Sequence, residues 1–216
     1  MLQSEREEVA AAARRLAAAG LVAGTSGNLS ARSGEHVAVT PTGAVLAELE
    51  AADVTVVDLD GERVDGRLAP TSELELHLGV YRRYDAGAVI HTHAPVATAL
   101  SCVVDELPCV HYEMLLLGGT VRVAPYATFG SPELAASVLD ALDGRTAALM
   151  ANHGAVAYGA DVNGAVRATE LLEWACTLYW RARAIGEPRV LDERQRQDVI
   201  DFAVRTRYGT TREVSE

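Results

Sequence analysis

His91-Thr92-His93 follows Ala88-Val89-Ile90, an apolar and partly β-branched stretch that predicts a buried strand. Side chains alternate between the faces of a strand, so the two imidazoles project the same way. They supply half of a zinc site, which needs three or four converging groups. Two imidazoles alone hold no metal, and a pair of hydrogen-bonded core histidines would have the same spacing. His153 and Glu73 could complete the set. His153 precedes Gly154 at the end of an apolar strand predicted over 146–151, where a ligand on the rim of a sheet would sit. Glu73 falls in Thr71-Ser72-Glu73, in the first turn of a predicted helix, where the helix dipole by itself also favours a carboxylate. Three imidazoles and a carboxylate suit zinc, and also manganese, cobalt or iron. A cupin would use His-x-His with a carboxylate a few residues later, but the next acid here is Asp105.

Other stretches bear on anion binding. Gly24-Thr25-Ser26-Gly27-Asn28-Leu29-Ser30 combines glycines with hydroxyls; its backbone N–H groups could cradle an anion, or it could be an ordinary turn. Thr40-Pro41-Thr42-Gly43 is a second loop of small residues, and Thr71-Ser72 precedes the helix of Glu73. All 19 basic residues are Arg. The lack of lysine excludes a Schiff-base aldolase, a Walker-A phosphate site and a Ser-Lys dyad. A phosphate would therefore be held by backbone N–H groups and hydroxyls.

The elements that must position these groups follow from caps and periodicity. A helix is predicted over 4–19, with Ser4 and Glu7 at capping-box spacing and Gly20 past its end. Strands are predicted over 29–32 and 36–40, with Ser33-Gly34 as their turn, and over 54–59. Ser72 is expected to cap the next helix with Glu75 as its box partner; Leu74, Leu78 and Tyr81 form its packed face, and His77 is expected to be a surface or packing residue. Pro95 can start a helix to Ser101, a short strand covers 121–124, and Ser131-Pro132 starts another helix. Asp161 caps a long helix towards Ile185, a last helix covers 194–207, and a mobile tail is expected over 209–216. Strands and helices interleave without a clean βαβ rhythm. That predicts an α/β fold of the α+β type, with a central, mostly antiparallel sheet flanked by helices. At 216 residues the chain is expected to be a single domain.

The formal net charge of -11 argues against a nucleic-acid partner, whose phosphates would be repelled. No run of 18 apolar residues occurs, so no membrane partner is expected. Three cysteines without a C-x-x-C pattern suggest reduced thiols and a cytoplasmic location.

The ordered set of motifs resembles the zinc-dependent class II aldolase/adducin-head family over nearly the whole chain, and most closely its L-fuculose-1-phosphate aldolase branch. The stretches that carry the resemblance are the loops Gly24-Thr25-Ser26-Gly27-Asn28-Leu29-Ser30 and Thr40-Pro41-Thr42-Gly43, Thr71-Ser72-Glu73, His91-Thr92-His93-Ala94, His111-Tyr112, Gly118-Gly119, Ala124-Pro125-Tyr126-Ala127-Thr128-Phe129-Gly130 and His153-Gly154. The resemblance implies that His91, His93 and His153 are permanent ligands of one Zn2+ per subunit. Glu73 would be the fourth ligand in the empty enzyme and the acid/base once substrate displaces it. Thr25, Asn28, Gly43, Thr71 and Ser72 would hold the phosphate of a small sugar substrate. Tyr112 would protonate the aldehyde-side oxygen, and Tyr208 would reach a neighbouring subunit's site in a homotetramer with interface active sites. The implied reaction cleaves a ketose 1-phosphate, L-fuculose 1-phosphate first among them, to dihydroxyacetone phosphate and an aldehyde, L-lactaldehyde in that case. The lack of lysine agrees, because without an iminium a Lewis acid must hold the charge left by the broken carbon–carbon bond.

Neighbouring branches of the family stay open. Glu113 follows Tyr112 where an apolar residue is expected, which keeps a methylthioribulose-1-phosphate dehydratase-like enzyme in view. The ribulose-5-phosphate 4-epimerases carry an Asp–His–Thr stretch where this chain has Val110-His111-Tyr112-Glu113. The non-catalytic adducin branch lacks the metal ligands, all of which are present here.

Overall fold

The computed structural model describes residues 1–208. Its strands are β1 (Asn28–Ser33), β2 (His36–Val39), β3 (Thr55–Asp58), β4 (Arg63–Asp65), β5 (Ala88–Thr92), β6 (Glu106–Leu107), β7 (Val121–Ala124), β8 (Ala147–Met150) and β9 (Gly154–Gly159). They form one sheet in the order β4-β3-β2-β1-β5-β9-β8-β7-β6. Neighbours are antiparallel except β7 and β8, which run parallel. Six helices accompany it: α1 (Gln3–Ala18), α2 (Leu74–Arg83), α3 (Pro95–Ser101), α4 (Pro132–Ala141), α5 (Val162–Ile185) and α6 (Glu193–Thr206). A mostly antiparallel sheet flanked by helices is the fold class that the sequence predicts.

Alternation along the central strands feeds two cores. On one side Leu29, Ile90 and Leu149 pack with Val9 and Leu16 of α1, Ala97 of α3 and Leu172 of α5. On the other, Val37, Val89 and Met150 pack with Leu78 of α2 and Val138 of α4. The site lies at one end of the second layer, where α2 begins.

Some local expectations are corrected. Ser4 caps nothing: α1 starts at Gln3, and its N-cap is Leu2 in a left-handed conformation. Ser72 does not cap α2 either. The helix starts at Leu74, Glu73 occupies the N-cap position, and the Thr71 hydroxyl accepts the Glu73 N–H at 3.3 Å. Glu75, released from a capping box, pairs with Arg82 at 2.8 Å. The box that does form is at α6, between Asp192 and Gln195. The short strands β4 and β6, at the two sheet edges, carry too few apolar residues to announce themselves. The tail expected to be mobile, 209–216, lies outside the described residues. Among the described residues no helix is long and apolar enough to cross a membrane.

Candidate metal centre and anion cleft

Ala88 and Ile90 point into the first core and Val89 into the second, so His91 emerges on the α2 side of β5. Its Nδ1 lies 3.0 Å from the Ala155 carbonyl of β9, which places the ring proton on Nδ1 and leaves Nε2 as a lone pair facing the site. His93 stands just past the end of β5, with its Nε2 3.0 Å from that of His91. His153 ends the turn Ala151-Asn152-His153 between β8 and β9, in which Asn152 takes a left-handed φ of 55°. Gly154 presses this turn onto β5: a Cβ there would stand 2.3 Å from the Thr92 carbonyl oxygen. The three histidines offer ligand atoms all within 4.8 Å of one another. Glu73 closes the group, with Oε2 3.2 Å from His91 Nε2 and Oε1 3.6 Å from His153 Nε2.

These residues fit a divalent cation. Glu73 Oε1 is buried without a hydrogen-bond partner, a costly state for a carboxylate oxygen unless a cation faces it. Burial pushes His91 down to about 4 and also lowers His93, so their imidazoles are neutral near pH 7 and offer lone pairs. Burial works to raise the Glu73 carboxyl, but the imidazoles, His91 first, and the Asn28 hydrogen bond outweigh it and hold it below the usual carboxylate range. Glu173 of α5 secures the chain beyond His93 by accepting the N–H groups of Val96 and Ala97 at 2.9 and 2.8 Å, which have no partner within α3.

Behind Glu73 lies a buried polar row that the sequence reading missed. Asn28 pairs in register with His91, and Ser30 with Val89, so both project towards α2. Glu73, His77 and Tyr81 recur every four residues and present one face to them. Asn28 Nδ2 donates to Glu73 Oε2 at 2.8 Å, and Asn28 Oδ1 lies 2.5 Å from His77 Nε2. His77 Nδ1 lies 2.7 Å from Ser30 Oγ, which lies 2.7 Å from the Tyr81 hydroxyl. Of the two places expected for His77 it takes the packed one: it is fully buried, and both ring nitrogens have polar partners. The available signal was the joint spacing of four on the helix and two on the strand.

Burial pushes His77 down to about 3, from 6.5 in the unfolded chain. A base with a depressed folded pKa contributes stability that is present above 6.5 and lost as pH falls, because only the unfolded chain then takes the proton. Metal-free protein should therefore lose about 2 kcal/mol to this residue alone between pH 6.5 and 5. Urea titrations at both pH values check this, and His77→Gln should remove that part of the slope.

Glu73, His93 and His153 line a cleft of about 360 Å³, and His91 is buried behind them. All five residues expected to hold phosphate line it: Thr25, Asn28, Gly43, Thr71 and Ser72. Gly27, with φ of +88°, lets the first loop lie against β5, where a Cβ would meet the His91 carbonyl at 2.9 Å. No arginine lines the cleft among the described residues, so an anion there would meet hydroxyls and backbone N–H groups. The structure adds Asn152, Tyr126 and Phe129 to the lining; both aromatics are exposed.

Tyr112 and Tyr208 are not brought to this cleft within one chain. Their hydroxyls lie 3.4 Å apart at a separate hollow of about 430 Å³, beside Val199 and Phe202 of α6. Hydrogen bonding to Tyr208 raises the Tyr112 phenol above its ordinary range. Glu113 also stays outside the cleft lining; its backbone N–H donates to His111 Nδ1 at 3.2 Å.

Comparison with known proteins agrees with this geometry. The family described as Class II Aldolase and Adducin N-terminal domain matches residues 7–180. A 5-deoxy-D-ribulose 1-phosphate aldolase of Bacillus thuringiensis serovar kurstaki is 38% identical over 202 residues, which cover 92% of this chain and 95% of that one. A 5-methylthioribulose-1-phosphate/5-deoxyribulose-1-phosphate aldolase of Rhodospirillum rubrum is 38% identical over 192 residues, 88% of this chain and 86% of the other. A solved L-fuculose 1-phosphate aldolase superposes with a TM-score of 0.88 at 35% identity, covering 95% of this chain and 97% of its own. By fold, motif order and sequence, the chain belongs to the class II aldolase and adducin N-terminal domain family, among its metal-dependent aldehyde-lyases.

Proposed function

We propose that the protein is a zinc-dependent aldolase that cleaves a ketose 1-phosphate to dihydroxyacetone phosphate and an aldehyde. The observation that carries this is the orphaned Glu73 carboxylate among three imidazoles, in the lining of a cleft walled by hydroxyls and backbone N–H groups. His91, His93 and His153 would hold the zinc, with Glu73 as a fourth ligand in the empty enzyme. When bound, the ion supplies a Lewis acid for the oxygens at the ketose carbonyl. Thr25, Asn28, Gly43, Thr71 and Ser72 take the phosphate and fix the sugar's direction. As the C3–C4 bond breaks, the C4 hydroxyl would lose its proton by way of the Tyr112 hydroxyl and become the aldehyde oxygen, and C3 would gain one by way of Glu73, freed by substrate, so that in net one proton passes from O4 to C3.

L-fuculose 1-phosphate and 5-deoxyribulose 1-phosphate share the reacting end and finish in an unhydroxylated carbon. Tyr126, Ala127 and Phe129 in the cleft lining suit such an apolar tail. Because Tyr112 and Tyr208 stand apart from their own chain's cleft, we propose a homotetramer in which each pair serves a neighbouring chain's site. The surface of α6 supports this: it buries no residue and exposes Ile200, Phe202 and Val204. The chain would act as one domain, and its three free thiols suit a reducing cytoplasm.

The test incubates purified protein with L-fuculose 1-phosphate, 5-deoxyribulose 1-phosphate, 5-methylthioribulose 1-phosphate and the unphosphorylated sugars, reading dihydroxyacetone phosphate with a coupled dehydrogenase. At least one phosphorylated ketose should release it. Conversion to an epimer or a dehydrated product with the carbon chain intact would overturn the aldolase reading. Equal turnover of the unphosphorylated sugar would overturn the phosphate pocket.

A further inference from the structure

We infer that His77, Ser30 and Tyr81 are positioning residues that lock the Asn28 amide in one orientation, so that its N–H group faces the cleft even after Glu73 has moved away. The inference rests on the proposed phosphate role of Asn28 and goes beyond it. The argument is one of proton placement. An ionised Glu73 has no proton to give, so Asn28 must present Nδ2 to it at 2.8 Å. Asn28 Oδ1 then faces His77 Nε2 at 2.5 Å, and that nitrogen must carry the ring proton. His77 Nδ1 is left as a lone pair, so the Ser30 hydroxyl, 2.7 Å away, donates its proton there. Tyr81, 2.7 Å from the same Ser30 oxygen, must donate in turn. Each proton in the row has one place.

Turning the Asn28 amide over would set its NH₂ group against the His77 N–H, donor to donor. Relieving that clash requires a tautomer change at His77, reversal of the Ser30 hydroxyl and rotation of the Tyr81 hydroxyl, whose proton is then left without an acceptor among the described residues. All three groups are buried, at 0%, 1% and 3% exposure, so no water can take over a lost partner without opening the core. Among the described residues the Asn28 side chain has no hydrogen-bond partner besides Glu73 and His77. While Glu73 is in place it orients the amide by itself. Once Glu73 leaves, only the row behind Asn28 does so. An amide free to flip would present its oxygen to an anion for part of the time and weaken binding.

The test uses the full-length, metal-loaded protein and the variants His77→Leu and His77→Gln. His77→Leu should raise KM for the phosphorylated ketose by at least about 2-fold, the cost of an amide populated equally in both orientations, and by no more than about 10- to 100-fold, the worth of the whole hydrogen bond to a charged group. Its kcat should change only a few-fold, since the contact is made before and during the reaction alike. His77→Gln, whose amide N–H can stand where Nε2–H stands, should return KM to that of the unmutated protein. Equal KM in the two variants, whether normal or raised, would overturn the lock. Should the Leu variant fail to fold or to hold metal, ¹⁵N NMR of the unmutated protein decides. His77 should show a protonated Nε2 and a bare Nδ1, unchanged when inorganic phosphate is added; a protonated Nδ1 would overturn the inference. The NMR test needs no turnover, so an inactive chain would refute the aldolase reading while the His77 tautomer still decides on the lock.

Discussion

Glu73→Gln should keep its metal and lose about 10²- to 10⁴-fold in kcat, the usual contribution of a group that moves a proton in the transition state. The substitution preserves shape and the oxygen that can accept from Asn28, so the start of α2 should be undisturbed. Three imidazoles can hold zinc by themselves, as in other catalytic sites. What is lost is a carboxylate able to leave the cation and take a proton. The Asn28 amide, which donates to Oε2 at 2.8 Å, favours the ionised form at rest. Metal content by mass spectrometry and steady-state kinetics on the best ketose 1-phosphate give the two readouts. A near-normal kcat would reduce Glu73 to an acid favoured by the helix dipole.

His93→Ala should have the opposite signature and empty the site. His93 stands past the end of β5 and is only half-buried, so its removal should spare the sheet. His91 and His153 would remain with Glu73, but this ligand set has lost one of its three imidazoles. The fall in metal affinity should exceed the 10–100-fold that commonly follows loss of a mere outer hydrogen-bond partner. Competition with a chromogenic chelator measures it, and activity should fall in step with occupancy. Full occupancy at normal affinity would remove His93 from the metal centre.

The convergence of four groups was legible because each stands beside a signal of its own. Ala88-Val89-Ile90 announces a strand, Thr71-Ser72 a helix start, and Gly154 a tight approach. The cap at Ser72 was misread because spacing cannot tell which of two neighbouring hydroxyls accepts: Thr71 does, and α2 begins later. His77 escaped because one histidine on an amphipathic helix looks like any packed residue until the strand opposite it is known. Its partners Asn28 and Ser30 come from β1, and only the pairing of β1 with β5 brings them under α2. That Tyr112 stands apart from the cleft of its own chain was likewise invisible, since nothing local in its stretch says so, whereas for Tyr208 the family resemblance already implied a place away from it.

The candidate ligands hang on β5, on the turn that joins β8 to β9 and on the start of α2, elements that are distant along the chain and meet only when the middle of the sheet is complete. The unfolded chain holds no preformed version of the site. A cation that binds it therefore recognises the finished fold, and stabilises it by an amount set by concentration over Kd. Contacts that form late are little developed at the folding barrier, so they act on the rate of escape from the native state rather than on the rate of reaching it. Chelation should accordingly shorten the native lifetime while refolding proceeds at nearly its former speed, and the metal centre would set how long each folded molecule lasts.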